Sequence, residues 1–467
     1  MKAQDRIRFS VVFSLICLVV LPATYAKTSI QNFAPNPPLG FNSFDSYLTY
    51  LSEDKAYALM DVMAEKYLPF GYEYFVIDAG WARNVELYPG SMYPKKSKGV
   101  AMDEFGLLEP CQMYFPKGIK PLADYAHKKG LKFGVWFIRG IPRQAVEKNL
   151  PIKGTRYFAR DIADTSSVCG WNQENYGIDM TKPGAQAYYN ALIDKLAGWN
   201  IDFVKADDIV PDPLEIVAVA KAIEDGGHTM IYSLSPGDVH YPTHVTYYRR
   251  ANMLRITADI WDNPQSIEKG FIAWEKFQGT ERPGFWPDLD MIPFGRLTVV
   301  ATPDIPNVAE DRRARQSQFS QDQMKTFITQ RAMAASPLII GGDLLTMDDF
   351  SYRLLTNRNM LACNQNGVMG VNVYRAGNID VWLTPHKTDP LMGWIGIFNR
   401  STSPRNITLG KKDLGLIAFE KSYDLMAVRQ PFRLESIWSD ETITIEDKHV
   451  FAIPAEGVLF LKFHQMQ

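Results

Sequence analysis

The chain lacks an excess of positive charge. It carries 50 Lys and Arg against 52 Asp and Glu in 467 residues, a formal charge of −2. A polyanion binder needs a basic surplus, so nucleic acid is not an expected partner. Cysteine is also scarce. There are four, and Cys17 lies in the first apolar segment. The other three, Cys111, Cys169 and Cys363, are an odd number, which excludes a disulfide framework for a chain of this size. Cys111 and Cys169 lie in polar loops punctuated by Gly and Pro, and one bridge or two free thiols are equally compatible with that setting. Cys363 has apolar neighbours and reads as a buried thiol. Long hydrophobic runs are missing after the N-terminus, so no transmembrane segment is expected there. There is no internal repeat, no low-complexity tract and no long linker.

What the chain does have is core material: 46% of its residues are hydrophobic and 12% aromatic, a globular profile. Residues 1–26 form a separate signal. Lys2, Arg6 and Arg8 make a basic start, Val11 to Leu21 an apolar run too short to span a bilayer, and Thr24 and Ala26 a small-residue cleavage site before Lys27. This is the pattern of a secretory signal peptide. Its removal leaves a mature chain of about −4 in charge, expected in a secreted, periplasmic or other extracytoplasmic compartment with no membrane attachment. The sequence carries no signal of oligomeric state.

From residue 38 to about 345, short apolar runs alternate with amphipathic stretches. Expected strands are Pro38–Phe44, Phe75–Asp78, Phe133–Phe137, Phe203–Asp207, Met230–Ser233, Leu254–Thr257, Gly284–Trp286 and Pro337–Gly341. Expected helices include 51–68 with Ser52 as N-cap, 119–129, and 181–199 with Pro183 in its first turn. Eight such units predict a (β/α)₈ barrel over residues 27–370. After residue 371 the pattern becomes short alternating strands, among them Asp380–Thr384, Trp394–Phe398, Thr442–Ile445 and Gly457–Lys462. These predict an antiparallel β-sandwich over 371–467 that supports the barrel.

In such a barrel the chemistry sits at the C-terminal ends of the strands. Asp78, Trp136, Lys205, Asp207, Arg255 and Asp259 all fall at or just past those ends. Asp207 and Asp259, two carboxyls from different strands, are the minimum equipment for glycoside hydrolysis. A lone loop aspartate is ordinarily a surface or capping residue. Lys205 and Arg255, two and four positions earlier, set this pair apart, and Lys205 shares a strand face with Asp207. His240 and His244 have a zinc-like spacing, but Pro242 between them argues against a helix. No metal and no organic cofactor is expected.

These motifs resemble glycoside hydrolase family 27, the melibiase-type α-galactosidases, from Pro38 to the C-terminus. Pro38-Leu-Gly-Phe-Asn-Ser-Phe44 resembles the opening Pro-x-Gly-Trp-Asn-Ser-Trp, and Tyr74-Phe-Val-Ile-Asp78-Ala-Gly-Trp81 the second-strand motif. Phe115-Pro-Lys-Gly-Ile-Lys-Pro-Leu-Ala-Asp-Tyr-Ala-His127, Val204-Lys-Ala-Asp207, Arg255-x-x-x-Asp259, Trp286-Pro-Asp-Leu-Asp290-Met and Ala335-Ser-Pro-Leu-Ile-Ile-Gly-Gly-Asp343 follow the rest. The resemblance implies a retaining double displacement on terminal α-D-galactosyl residues. It makes Asp207 the nucleophile and Asp259 the acid/base, with carboxyls about 5–5.5 Å apart. Lys205, Arg255 and Asp78 would bind ring hydroxyls, Lys205 would help keep Asp207 ionised, Trp136 and Phe44 would be apolar walls, and Asp288 and Asp290 would give support from behind. The chain departs from the pattern in places. The family has two adjacent aspartates after strand two that both hold the 4- and 6-hydroxyls, and the second is Ala79 here; Phe44 replaces Trp and Ile209 replaces a loop cysteine. These changes bring in the alternatives of a β-L-arabinopyranoside, an α-N-acetylgalactosaminide or an isomalto-type glucoside as substrate, or an inactive carbohydrate-binding protein. A water, or a polar group from another loop such as Asp45, could fill the gap beside Asp78.

Overall fold

The computed structural model describes residues 29–87, 94–237, 243–300, 313–419 and 431–466. The expected signal peptide, His240 and Pro242 lie outside the described residues. Eight parallel strands form one sheet: β1 (Leu39–Asn42), β2 (Tyr74–Ile77), β3 (Lys132–Ile138), β4 (Phe203–Asp207), β5 (Ile231–Leu234), β6 (Met253–Arg255), β7 (Trp286–Asp288) and β8 (Leu338–Ile340). Their order is β7-β6-β5-β4-β3-β2-β1-β8. The ring closes just past β7, where Ile292 N–H donates to Ile339 O at 2.8 Å and Gly341 N–H to Ile292 O at 3.0 Å. This is the (β/α)₈ barrel expected from the sequence.

Helices α1 (Glu53–Val62), α2 (Lys120–Lys128), α3 (Ala185–Gly198), α4 (Pro213–Asp225), α5 (Pro264–Lys276) and α6 (Gln321–Met333) follow β1, β2, β3, β4, β6 and β7. Their starts are local. Asp212 accepts from Glu215 N–H ahead of α4, Asn263 from Ser266 N–H ahead of α5, and Ser320 forms a capping box with Gln323 at α6. Ser52 makes no such bond, and Glu53 N–H, the first amide of α1, donates to Tyr114 O at 2.8 Å. Pro183 falls outside α3, because Gly184, at φ +94°, separates it from the first helical residue. Gly284 is likewise excluded from β7. It sits at φ +88°, and a Cβ there would meet Gln31 O at 2.0 Å.

The pleat sorts side chains between two cores. Phe75, Phe133, Val135, Val204 and Leu254 face the helices. Tyr74, Val76, Phe203, Ile231, Met253, Trp286 and Ile339 fill the barrel interior. Gly40 and Gly134 make room there. A Cβ at Gly40 would meet Tyr74 O at 2.4 Å, and one at Gly134 would meet Phe203 Cβ at 2.7 Å.

The C-terminal strands are β9 (Val371–Ala376), β10 (Ile379–Pro385), β11 (Met392–Asn399), β12 (Arg405–Gly410), β13 (Phe432–Ser436), β14 (Thr442–Ile445), β15 (Lys448–Ile453) and β16 (Val458–Gln465). A six-stranded antiparallel sheet, β9-β10-β11-β16-β13-β14, and the pair β12-β15 share a core of Val381, Ile397, Leu409, Phe432, Phe451 and Phe463. The sequence reading omitted β9 and β15. β9 is an edge strand with a bulge near Asn372 and few buried residues, so its alternation is weak. The sandwich docks on α5 and α6. Trp274 of α5 stacks on Trp382 of β10 with ring centroids 3.7 Å apart, and Trp438 Nε1 donates to Thr329 Oγ1 of α6 at 2.9 Å. Trp382→Ala should therefore lower stability by about 3–5 kcal/mol, read as a shifted urea midpoint; an unchanged midpoint would show that the stack contributes nothing.

Candidate active site

The same alternation carries polar groups to one mouth of the barrel. In β4, Phe203 lies inside, so Lys205 and Asp207 point the same way one and two pleats on. By this parity Asp78 follows Val76, Arg255 follows Met253, Asp288 follows Trp286 and Trp136 follows Gly134. A cavity of about 640 Å³ opens there, lined by Phe44, Asp45, Asp78, Ala79, Trp136 and Trp171 on one side of the sequence and by Lys205, Asp207, Arg255, Asp259, Trp261 and Asp290 on the other. All seven site residues expected from the sequence line it. Trp136 lies two residues before the end of β3 rather than past it.

Asp78 is 2% exposed. Its Oδ2 accepts from Lys205 Nζ at 2.7 Å and Asn42 Nδ2 at 2.7 Å, and Oδ1 accepts from Ala79 N–H at 2.8 Å. Burial pulls the Lys205 ammonium toward deprotonation, but the carboxylates of Asp78 and Asp207 outweigh it and hold its pKa above the usual value. Asp207 Oδ2 accepts from Trp136 Nε1 at 2.9 Å. Trp136, expected only as a wall, is thus also a hydrogen-bond donor to a carboxylate. Asp207 Oδ1 accepts from Asp208 N–H at 3.1 Å, and Asp208 itself sits at φ +57°. Aspartate tolerates that left-handed conformation better than most residues. The turn is braced from behind. Arg139 donates to Asp208 O at 2.7 Å and to Glu215 Oε1 at 3.0 Å, and Glu215 also accepts from Tyr189 Oη.

Asp259 differs from Asp207 in exposure. Its side chain is 62% exposed, and Oδ1 accepts from Arg255 Nη2 at 2.9 Å. Asp290 ties down its loop by accepting from Ile260 N–H at 2.9 Å, and its own N–H donates to Asp288 Oδ1 at 2.8 Å. Asp290, expected only as support from behind, thus lines the cavity itself, with Asp288 beneath it. Two aromatic residues at the mouth escaped the sequence reading. Trp171 and Trp261 lie in loops without strand or helix periodicity, and Trp171 is 57% exposed. Cys111, Cys169 and Cys363 are all buried free thiols, so the open question over the first two resolves as two thiols. Cys169 packs with Trp136, Ile138 and Ala79 beside the cavity. Among the described residues no group of three or more His, Cys, Asp or Glu is placed to hold a metal, and no helix is long and apolar enough to cross a membrane.

The family model described as alpha galactosidase A (Melibiase_2) matches residues 45–146 and 143–366, which contain all but the first of the cavity residues. The chain belongs to glycoside hydrolase family 27. Among family 27 enzymes, a β-L-arabinopyranosidase from Geobacillus stearothermophilus, solved in complex with arabinose, is 34% identical. Its match covers 95% of this chain and 100% of that one with a TM-score of 0.84. Alpha-galactosidase 2 of Arabidopsis thaliana is 24% identical over 96% of this chain and 94% of its own. Alpha-galactosidase A of Cellvibrio japonicus is 22% identical over 96% of each. As a family 27 member, the protein is a glycoside hydrolase of the α-galactosidase type.

Burial, and after it the neighbouring Asp290, push the Asp288 carboxyl up to about 7. The folded state then holds this proton while the unfolded chain has lost it, so the group's contribution to stability falls as pH rises from about 4 to about 7. Asp288→Asn should remove part of that decline, visible in denaturant midpoints taken at pH 4.5 and 7.5. Parallel wild-type and mutant curves would refute the shift.

Proposed function

We propose that this family 27 enzyme is a retaining exo-glycosidase that prefers β-L-arabinopyranosides and cleaves α-D-galactosides more slowly. The observation that carries the preference is the wall at Ala79, where Ala79 packs with Trp136, Ile138 and Cys169. β-L-Arabinopyranose has the ring hydroxyls of α-D-galactopyranose in the same arrangement and lacks only the hydroxymethyl group. By the family pattern, the carboxylate at position 79 serves the 4- and 6-hydroxyls. Against an apolar wall the 6-hydroxyl of a galactoside loses its acceptor, at a cost of about 1–3 kcal/mol. An arabinopyranoside has no such group to strand. The higher identity to the arabinopyranosidase than to the named α-galactosidases supports the same reading.

In this reading Asp207 attacks the anomeric carbon and forms the glycosyl-enzyme while Asp259 gives its proton to the leaving oxygen. Asp259 then takes a proton from water, which displaces Asp207 from the sugar. The geometry suits both roles. Asp207 is buried and oriented by Trp136 and Asp208, whereas Asp259 lies on the solvent side, where the leaving group departs and water arrives. Lys205 and Arg255 keep N–H groups for the ring hydroxyls, and Phe44 gives the sugar an apolar face. The basic start and short apolar run of residues 1–26 support export, with a mature N-terminus at or near Lys27.

Asp207→Asn should cut turnover on the order of 10⁴-fold with the fold intact, and azide should partly rescue Asp207→Gly on an activated substrate. Asp259→Ala should fail mainly with poor leaving groups. Near-native rates in both mutants would overturn the assignment. Specificity is tested by kcat/KM on nitrophenyl β-L-arabinopyranoside, α-galactoside, α-glucoside and α-N-acetylgalactosaminide. Ala79→Asp should raise the galactoside-to-arabinopyranoside ratio by about fivefold or more. A wild type already fastest on the galactoside, and damaged by the added carboxylate, would exclude this account of the wall.

A further inference from the structure

Asp45 has no partner for one of its buried oxygens. It lies in the single-turn helix Phe44–Tyr47 just past β1, is 1% exposed, and lines the cavity beside Phe44. Its Oδ2 is fully buried and has no hydrogen-bond partner. Leaving a carboxyl oxygen in this state is costly in a finished structure, and ligand-free sites are where such groups are found. The position is fixed rather than accidental. Thr298 N–H donates to Asp45 O at 2.8 Å and Val299 N–H to Ser46 O at 2.7 Å. Space for the carboxyl comes from Gly341 at the end of β8, where a Cβ would lie 2.1 Å from Oδ2. The loops bearing Asp45 and Ala79 are neighbours, since Asn42 pairs with Val76 and Asp78 N–H donates to Ser43 Oγ at 3.0 Å.

We propose that Asp45 is a substrate-binding residue whose carboxyl hydrogen-bonds a ring hydroxyl of the bound sugar, taking over part of the work of the carboxylate missing at position 79. This rests on the glycosidase reading above and adds to it a residue from a different loop. Burial, and after it Asp290, with smaller contributions from Asp259 and Asp78, hold the Asp45 pKa well above the usual carboxylate range; Lys205 opposes them without prevailing. A neutral carboxylic acid can donate one hydrogen bond and accept another, which matches a sugar hydroxyl. A raised pKa also works against adding negative charge to a cavity that already holds Asp78, Asp207, Asp259 and Asp290.

The test is calorimetric binding of L-arabinose, D-galactose and D-glucose to the mature wild type, Asp45→Asn and Asp45→Ala, with melting curves and kcat/KM on the nitrophenyl panel. Asp45→Ala should weaken the best-bound sugar by about tenfold or more, mainly through KM, with a melting temperature equal to or above wild type, because an unsatisfied buried group has been removed. Asp45→Asn, which keeps a donor and an acceptor, should lose only about two- to fivefold. The identity of the sugar that wild type binds best judges the substrate reading; the loss in the variants on that same sugar judges Asp45, whichever sugar it is. Unchanged affinity in Asp45→Ala, or in Asp45→Asn should the alanine variant fail to fold, would overturn the proposal. So would a drop in melting temperature with KM untouched, which would mark a structural role alone.

Discussion

A strand that points residue 203 into the barrel must point residues 205 and 207 there as well. The rest of the site depends on that constraint. Phe203, Tyr74, Met253 and Trp286 fill the barrel interior. Once they do, the pleat leaves no choice about where Lys205, Asp207, Asp78, Arg255 and Asp288 go. The apolar layer and the polar cavity are one alternating pattern read at two heights. Gly40 and Gly134 belong to it too, because the interior would otherwise be overfilled around Tyr74 and Phe203. A one-residue slip of β4 against β3, where Trp136 pairs with Lys205, would move both Lys205 and Asp207 out of the cavity.

Packing charges so closely is possible because each has a partner of opposite sign or a donor. Lys205 sits between Asp78 and Asp207, and Arg255 reaches Asp259 at 2.9 Å and Asp290 at 3.6 Å. Buried ion pairs of this kind contribute little to stability, since desolvation offsets most of the attraction. What they contribute is position. Removing the Lys205 ammonium would leave Asp78 buried with only Asn42 Nδ2 and its neighbouring backbone N–H as donors. Around the cavity, burial raises the pKa values of Asp45 and Asp288, and their neighbouring carboxyls add to the rise.

The parts of this arrangement that were legible in the sequence are those that periodicity controls. All eight barrel strands appear as short apolar runs, because strands buried on both faces must be apolar on both. Asp78, Asp207 and Arg255 could be placed by counting along those runs. The missed features depend on tertiary contacts. The Trp136 indole N–H finds Asp207 across the β3–β4 pair, and nothing local to Trp136 signals it. Trp171 sits in a loop with no pattern to read. Ser52 is a good cap by residue type yet makes no side-chain cap bond, and the first amide of the helix is met by Tyr114 O, 62 positions away. The helix expected from residue 181 starts at Ala185, and the strand expected from Gly284 starts at Trp286, each after a left-handed glycine turn that composition indicates only loosely. Cys111 and Cys169 could not be resolved from spacing at all, since whether two thiols meet is decided by the fold.

The pocket's chemistry can be read as a displacement of one polar function around the mouth of the barrel. In the family pattern two adjacent carboxylates follow β2. Here the second is replaced by a methyl that packs against Trp136, Ile138 and Cys169, so that corner of the cavity is apolar. A carboxyl one position past Phe44, in the adjoining β1 loop, is buried without a partner. The two departures are coupled by sheet order, because only the β1 loop and the β3 loop flank the β2 loop in an eight-stranded barrel of this topology. The β3 side supplies the apolar Ile138 to that corner. On the β1 side, Gly341 at the end of β8 provides the room that a carboxyl on β1's loop requires. In the proposed reading a sugar seated against Phe44 meets a hydrogen-bonding group on one flank of Asp78 and a greasy surface on the other, an asymmetry that suits a pyranose with ring hydroxyls but no hydroxymethyl arm.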